Sequence, residues 1–207
     1  MKETEIQDEL ASIRNLMERS SKFISLSGLS GILAGVYALI GAAVAYVLLN
    51  SSFDYADNTS GYAVVSLSMV TSLIAVAAIV LIASIVTGII LSVRKAKRKG
   101  QSVWSRTSRE LLFHMAVPLI SGGLLILIFI ARGYYGVVAP ATLIFYGLSL
   151  VAAGNFTFSG IKSLGLCEII LGLTAALFPG YGLYFWALGF GVLHIIYGSV
   201  MYLKYDK

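Results

Sequence analysis

Apolar residues run along this chain in unbroken blocks of roughly 20. That is too long for the alternation of a half-buried strand and too continuous for the one-sided stripe of a surface helix. A helix rises about 1.5 Å per residue and the hydrocarbon core of a bilayer is about 30 Å thick, so each block is long enough for one crossing. Six blocks qualify: Phe23 to Leu49, Tyr62 to Val93, Leu111 to Ala131, Val137 to Ala153, Ile161 to Phe178 and Leu183 to Leu203. The fold class this predicts is all-α, an integral membrane bundle of six transmembrane helices. The second block carries no charge for about 30 residues, enough to tilt or to project beyond the hydrocarbon.

The polar segments between the blocks give the threading. Short loops rich in Lys and Arg stay in the cytoplasm. Of the 15 Lys and Arg, all but Arg132 fall on one side of a six-span arrangement. Lys2, Arg14, Arg19 and Lys22 precede the first span, and seven basic residues lie in the loop 94–110. Lys162 opens the fifth span, and Lys204 and Lys207 follow the sixth. Both termini are therefore expected in the cytoplasm. Trp104 on the inner side, with Tyr134, Tyr135, Tyr181 and Trp186 on the outer side, suits the aromatic belts of the two interfaces.

Composition agrees: 58% of residues are hydrophobic and only 12% are charged, too few charges to cover a water-soluble fold of 207 residues. A secretory leader is not the reading of the amino terminus, because Glu3, Glu5, Asp8 and Glu9 make it acidic. The apolar run from Phe23 is also about twice the length of a leader's apolar core. The single cysteine, Cys167, excludes an intramolecular disulfide.

Two solvent-facing pieces stand out. In residues 1–22, Ile6, Leu10, Ile13 and Met17 recur at helical spacing and draw a narrow apolar stripe. Thr4 and Gln7 can close a capping box at its start. The stripe is a candidate docking surface for a cytoplasmic protein partner or a second copy of the chain; packing against the protein's own loops is the alternative. In the basic loop, Arg94, Lys95, Lys97, Arg98 and Lys99 form a cluster of the kind that contacts anionic lipid headgroups. Orientation alone demands the same charges. No nucleic-acid contact is expected from a segment tethered at the bilayer surface. Thr107 and Glu110 have capping-box spacing, which places the start of the third span just after Thr107.

Ionisable residues inside spans are costly and are candidates for function by default. His114 lies near the cytoplasmic interface, where water can solvate it. Glu168 and His194 lie deeper. Their depths can be compared through the turn Pro179-Gly180-Tyr181-Gly182, which makes the fifth and sixth spans antiparallel neighbours. Glu168 precedes Pro179 by about 16 Å of helix and His194 follows Gly182 by about 18 Å, so both approach the middle of the membrane. Such a pair can hold or relay a proton, or it can be a hydrogen bond that joins two helices. His114 lies some 9 Å closer to the cytoplasm than His194, too far for the two to hold one haem. No Cys/His cluster, nucleotide-binding glycine loop, HExxH or GxSxG occurs, so no cofactor, metal or catalytic residue is expected.

Glycines concentrate in the spans. Gly28 and Gly35, Gly147 and Gly154, Gly165 and Gly172, and Gly191 and Gly198 each stand seven apart, two on one helix face, as close helix packing requires. The likeness of Gly28–Gly35 to Gly147–Gly154 also fits an inverted three-plus-three repeat. Pro118 and Pro140 can each kink a span.

The run Ile13-Arg14-Asn15-Leu16-Met17-Glu18-Arg19 leading to Phe23, and the run Gly189-Phe190-Gly191-Val192-Leu193-His194-Ile195-Ile196-Tyr197-Gly198, resemble a group of small bacterial six-span membrane proteins with no assigned activity. The resemblance implies a bacterial cytoplasmic membrane. Two functions follow as expectations. One is a non-enzymatic scaffold or regulatory protein acting through its amino-terminal helix and basic loop. The alternative to that first reading is a small proton-coupled transporter or channel-like protein using an intramembrane pair of Glu168 and His194.

Overall fold

The computed structural model describes residues 27–56, 67–98, 100, 102–157 and 160–205. The stripe Ile6, Leu10, Ile13 and Met17, and also Lys99, lie outside them. The described chain is helical throughout and contains no strand. Its elements are α1 (Gly28–Ala56), α2 (Leu67–Arg98), α3 (Arg106–Ala131), a 3₁₀ turn (Tyr135–Val137), α4 (Val138–Ala153) and α5 (Gly160–Leu177). The sixth span is composite: α6 (Gly182–Trp186), a π-helical stretch (Ala187–Leu193) and α7 (His194–Tyr205). Among the described residues six helices are long and apolar enough to cross a membrane, and the chain is a multi-pass membrane protein. In hydrocarbon every backbone polar group needs a partner, which helices supply from within. The leucine-, isoleucine- and valine-rich blocks therefore fold this way whatever their individual propensities.

The spans fall where the apolar blocks predict, with shifted ends. α1 continues past Leu49 to Ala56, and α2 past Val93 to Arg98, so its 32 residues measure about 48 Å. α3 begins at Arg106 rather than after Thr107. Its N-cap is Ser105, in extended conformation, whose Oγ accepts from the Ser108 amide at 3.1 Å. Arg106 and Glu110, 3.1 Å apart one turn along, extend the helix beyond the apolar block. Its far end closes at Arg132, followed by Gly133 at φ 79°, a left-handed conformation that glycine adopts without a side-chain penalty.

The order of packing is α2 against α1, α1 against the sixth span, and the sixth span against the pair α4–α5, with α3 on the outer side of α4. The heptad-spaced glycines lie at two antiparallel interfaces. In the first, a Cβ on Gly28 or Gly35 would meet the backbone of Gly198, Tyr202 or Gly191, and one on Gly198 would meet that of Gly28 and Ile32. In the second, Gly147 and Gly165 lie against each other, and Gly172 against Pro140 and Ile144. Close packing thus accounts for the glycine spacing. An inverted repeat would map the α4–α5 pair onto α1–α2, where Gly41 against Val80 is the close contact.

The two prolines differ. Pro118 lies inside α3. Pro140 falls in the first turn of α4, where amides have no intrahelical partner, so no ladder bond is lost there. The outer faces are apolar: Ile82 of α2 and Ile120 of α3 are about six-tenths exposed, as lipid-facing side chains are in a bundle without its bilayer. Lys95, Lys97 and Arg98 close α2, and Lys204 lies in the last turn of α7. These termini, with the start of α3, form a basic end.

Candidate functional site

The spans bring Glu168 and His194 together at mid-height. Glu168 is about 12 Å of helix from the start of α5 and about 13 Å from its end. Its side chain is fully buried, and His194 is 6% exposed. Glu168 Oε1 lies 3.4 Å from His194 Nδ1. That is within ion-pair range but outside good hydrogen-bond geometry, and neither carboxyl oxygen has a hydrogen-bond partner.

The imidazole is bonded at both nitrogens. Nδ1 lies 3.0 Å from the carbonyl oxygen of Gly189, and Nε2 lies 2.7 Å from the hydroxyl of Tyr146 on α4. A carbonyl oxygen only accepts, so Nδ1 carries the proton and donates to Gly189. In the neutral ring Nε2 then accepts, and the Tyr146 hydroxyl donates to it. The three side chains form a chain of polar atoms across three spans: Tyr146 to His194, and His194 towards Glu168.

The surrounding backbone makes room for this. The π-helical stretch Ala187–Leu193 contains Gly189 and Gly191, both buried. The backbone amide of His194 donates to the Gly191 carbonyl, three residues back, and the Gly189 carbonyl accepts from the imidazole. π-turns are rare and frequently mark functional positions within helices. A side chain at Gly189 would collide with Glu168 Oε2 and with Leu143 Cδ2. Glycine is therefore what allows a carboxyl group to lie directly on the sixth span.

Apolar groups flank the cluster on both sides along the membrane normal. Leu150, Ile161 and Leu164 form a buried cluster, with Tyr146, Leu193 and Tyr197 packed against it, one turn or more nearer the basic end. Towards the other end, Phe190 lies 5.0 Å from Tyr146 and 5.9 Å from the imidazole, with Trp186 a further turn away at 5.0 Å from Phe190. Tyr134, Tyr181 and Trp104 are exposed.

Sequence reasoning missed Tyr146, Gly189 and the π stretch. A tyrosine mid-span rather than at a belt was the available signal for the first. The two-residue spacing of Ala187, Gly189 and Gly191 gave none for the others. His114 lies elsewhere, near the basic end, stacked 4.9 Å from Phe156. Arg94, Lys95, Lys97 and Arg98 stand at the end of α2, about 40 Å of helix from its other terminus and well removed from Glu168. Among the described residues no group of three or more His, Cys, Asp or Glu side chains could hold a metal ion. Cys167 is exposed, about 100° around α5 from its neighbour Glu168.

No family model, curated protein or solved structure matches this chain.

Proposed function

We propose that this is a small proton-coupled transporter or channel-like protein of a bacterial cytoplasmic membrane, in which Tyr146, His194 and Glu168 form the proton-binding site. The observation that carries the reading is Glu168: a carboxyl group at mid-membrane, fully buried, with both oxygens lacking a hydrogen bond while the adjacent imidazole is bonded at both nitrogens. Helix-joining polar contacts satisfy their own atoms, and a buried carboxyl that does not is costly. Its retention is explained if the group takes up and releases a proton. The π stretch supplies the element that can rearrange with that change, since its glycines and its side-chain-bonded carbonyl are next to the carboxyl. The basic end faces the cytoplasm on this reading, by the asymmetry of Lys and Arg.

The test is reconstitution into liposomes holding a pH-sensitive dye, with the small molecules that co-purify from native membranes supplied on both sides. Wild-type protein should dissipate an imposed pH gradient faster than Glu168→Gln or His194→Gln. Equal rates in all three contradict the proposal.

A second reading is favoured by the close glycine packing and apolar flanks around the cluster. On it the polar contact only ties three spans together, and the protein is a non-enzymatic scaffold or regulator, with its amino-terminal helix and basic loop as the contact surfaces for a cytoplasmic partner or a second copy. A soluble partner that co-purifies in mild detergent and is lost on deletion of residues 1–20 would support it.

A further inference from the structure

A cleft of about 300 Å³ opens at the basic end of α3, lined by Arg106, Arg109, Glu110, Phe113 and His114. Two guanidinium groups and one carboxylate leave it one positive charge in excess. Arg106 is engaged by Glu110 at 3.1 Å. Arg109 is exposed and has no ion-pair partner among the described residues. The His114 ring stacks on Phe156 at 4.9 Å and meets the edge of Phe113 at 5.7 Å, and it lines the same cleft as Arg109.

The cleft continues into an apolar track. Phe113, Val117, Ile120 and Leu124 follow at spacings of four, three and four along one face of α3, and each is more than half exposed. Trp104, 69% exposed just before the helix, lies at the same end, where indole rings favour the interface. An uncompensated positive charge and a hydrogen-bonding ring at the head of an exposed apolar stripe match a phosphate with an acyl chain attached.

We propose that this cleft binds the headgroup of an anionic phospholipid, with Arg109 as its principal charge contact, His114 as a hydrogen-bonding partner and an acyl chain along Phe113 to Leu124. The site is distinct from the cationic cluster at the end of α2 and does not depend on the intramembrane proton site. Free inorganic phosphate would use the same charge but would gain nothing from the apolar track.

Native mass spectrometry of the full-length protein, released from micelles holding equal amounts of phosphatidylglycerol and phosphatidylcholine, tests this. One phosphatidylglycerol should stay bound under activation that strips phosphatidylcholine. Arg109→Gln, an exposed position whose loss does not threaten folding, should weaken that retention about tenfold, the scale of one lost charge-assisted contact. Arg109→Lys should restore most of it. Replacing Arg94, Lys95, Lys97 and Arg98 together by Gln should leave it unchanged. Equal retention of the two lipids, wild-type retention in Arg109→Gln, or displacement of phosphatidylglycerol by millimolar inorganic phosphate would each overturn the proposal.

Discussion

The hydroxyl of Tyr146 and Nε2 of His194 are 2.7 Å apart, a hydrogen bond between α4 and the sixth span made at mid-membrane depth. Its direction follows from the other ring nitrogen: Nδ1 donates to the Gly189 carbonyl, which can only accept, so in the neutral ring Nε2 accepts from the Tyr146 hydroxyl. The carboxyl group of Glu168 thereby lies 3.4 Å from a nitrogen whose proton is already given to a backbone acceptor.

Removing this bond should cost stability. Interhelical hydrogen bonds in membranes contribute about 0.6 kcal/mol on average and up to about 1.7. Tyr146→Phe should fall near the upper end, because it leaves a buried Nε2 without a donor. A double-mutant cycle with His194→Phe, read by reversible unfolding in bicelles, should give a coupling on the order of 1 kcal/mol. Strict additivity would mean that the two side chains do not interact in the bilayer.

Gly189→Ala should destabilise by about 1–3 kcal/mol, the usual range for overpacking, since the new methyl meets both Glu168 Oε2 and Leu143 Cδ2. Shortening the acid relieves one of those collisions. Gly189→Ala combined with Glu168→Ala should therefore be less destabilised than the sum of the single variants. Thermal melts of the four proteins in one detergent check this, and full additivity would place the carboxyl away from Gly189.

Glycines at the α1–α7 contact should tolerate substitution far less than those facing lipid. A Cβ on Gly198 meets the backbone of Gly28, Gly31 and Ile32, which cannot rotate aside, whereas one on Gly123 meets nothing within 4 Å. Gly198→Ala should lower the melting temperature clearly. Gly123→Ala should be neutral or stabilising by up to about 1 kcal/mol, the helix-propensity gain.

The asymmetry of Lys and Arg also predicts which side labels. In a Cys167→Ala background, a cysteine at Ser102 should react with a membrane-impermeant maleimide only after the cells are opened. One at Gly136 should react in intact cells. The reverse pattern would invert the bundle.

Much of this architecture is legible in the sequence because lipid imposes one dominant rule: a continuous apolar block must be a helix. The depth match of Glu168 and His194 follows from counting residues back from the Pro179–Gly182 turn, and the structure brings them within 3.4 Å. The heptad glycines likewise announce close packing, though not that α1 would choose the sixth span as its partner. Tyr146 is not legible in the same way. A tyrosine is apolar enough to pass as part of a span, and only the register of α4 against the sixth span turns its hydroxyl towards His194. The π stretch is a backbone adjustment to packing among three helices, with no local periodicity to betray it. The start of α3 differs from the sequence pattern for a simpler reason: Thr107 and Glu110 have capping-box spacing, but Ser105 makes the cap.

The central claim is that Glu168 exchanges a proton within the bundle, and infrared difference spectroscopy of the protein in lipid bilayers, stepped through the accessible pH range, tests it most directly. A carboxylic C=O stretching band should appear and disappear reversibly with pH, be absent in Glu168→Gln, and shift in Tyr146→Phe as the imidazole loses its donor. A spectrum with no titrating carboxyl band, or one whose bands are identical in wild type and Glu168→Gln, would contradict it.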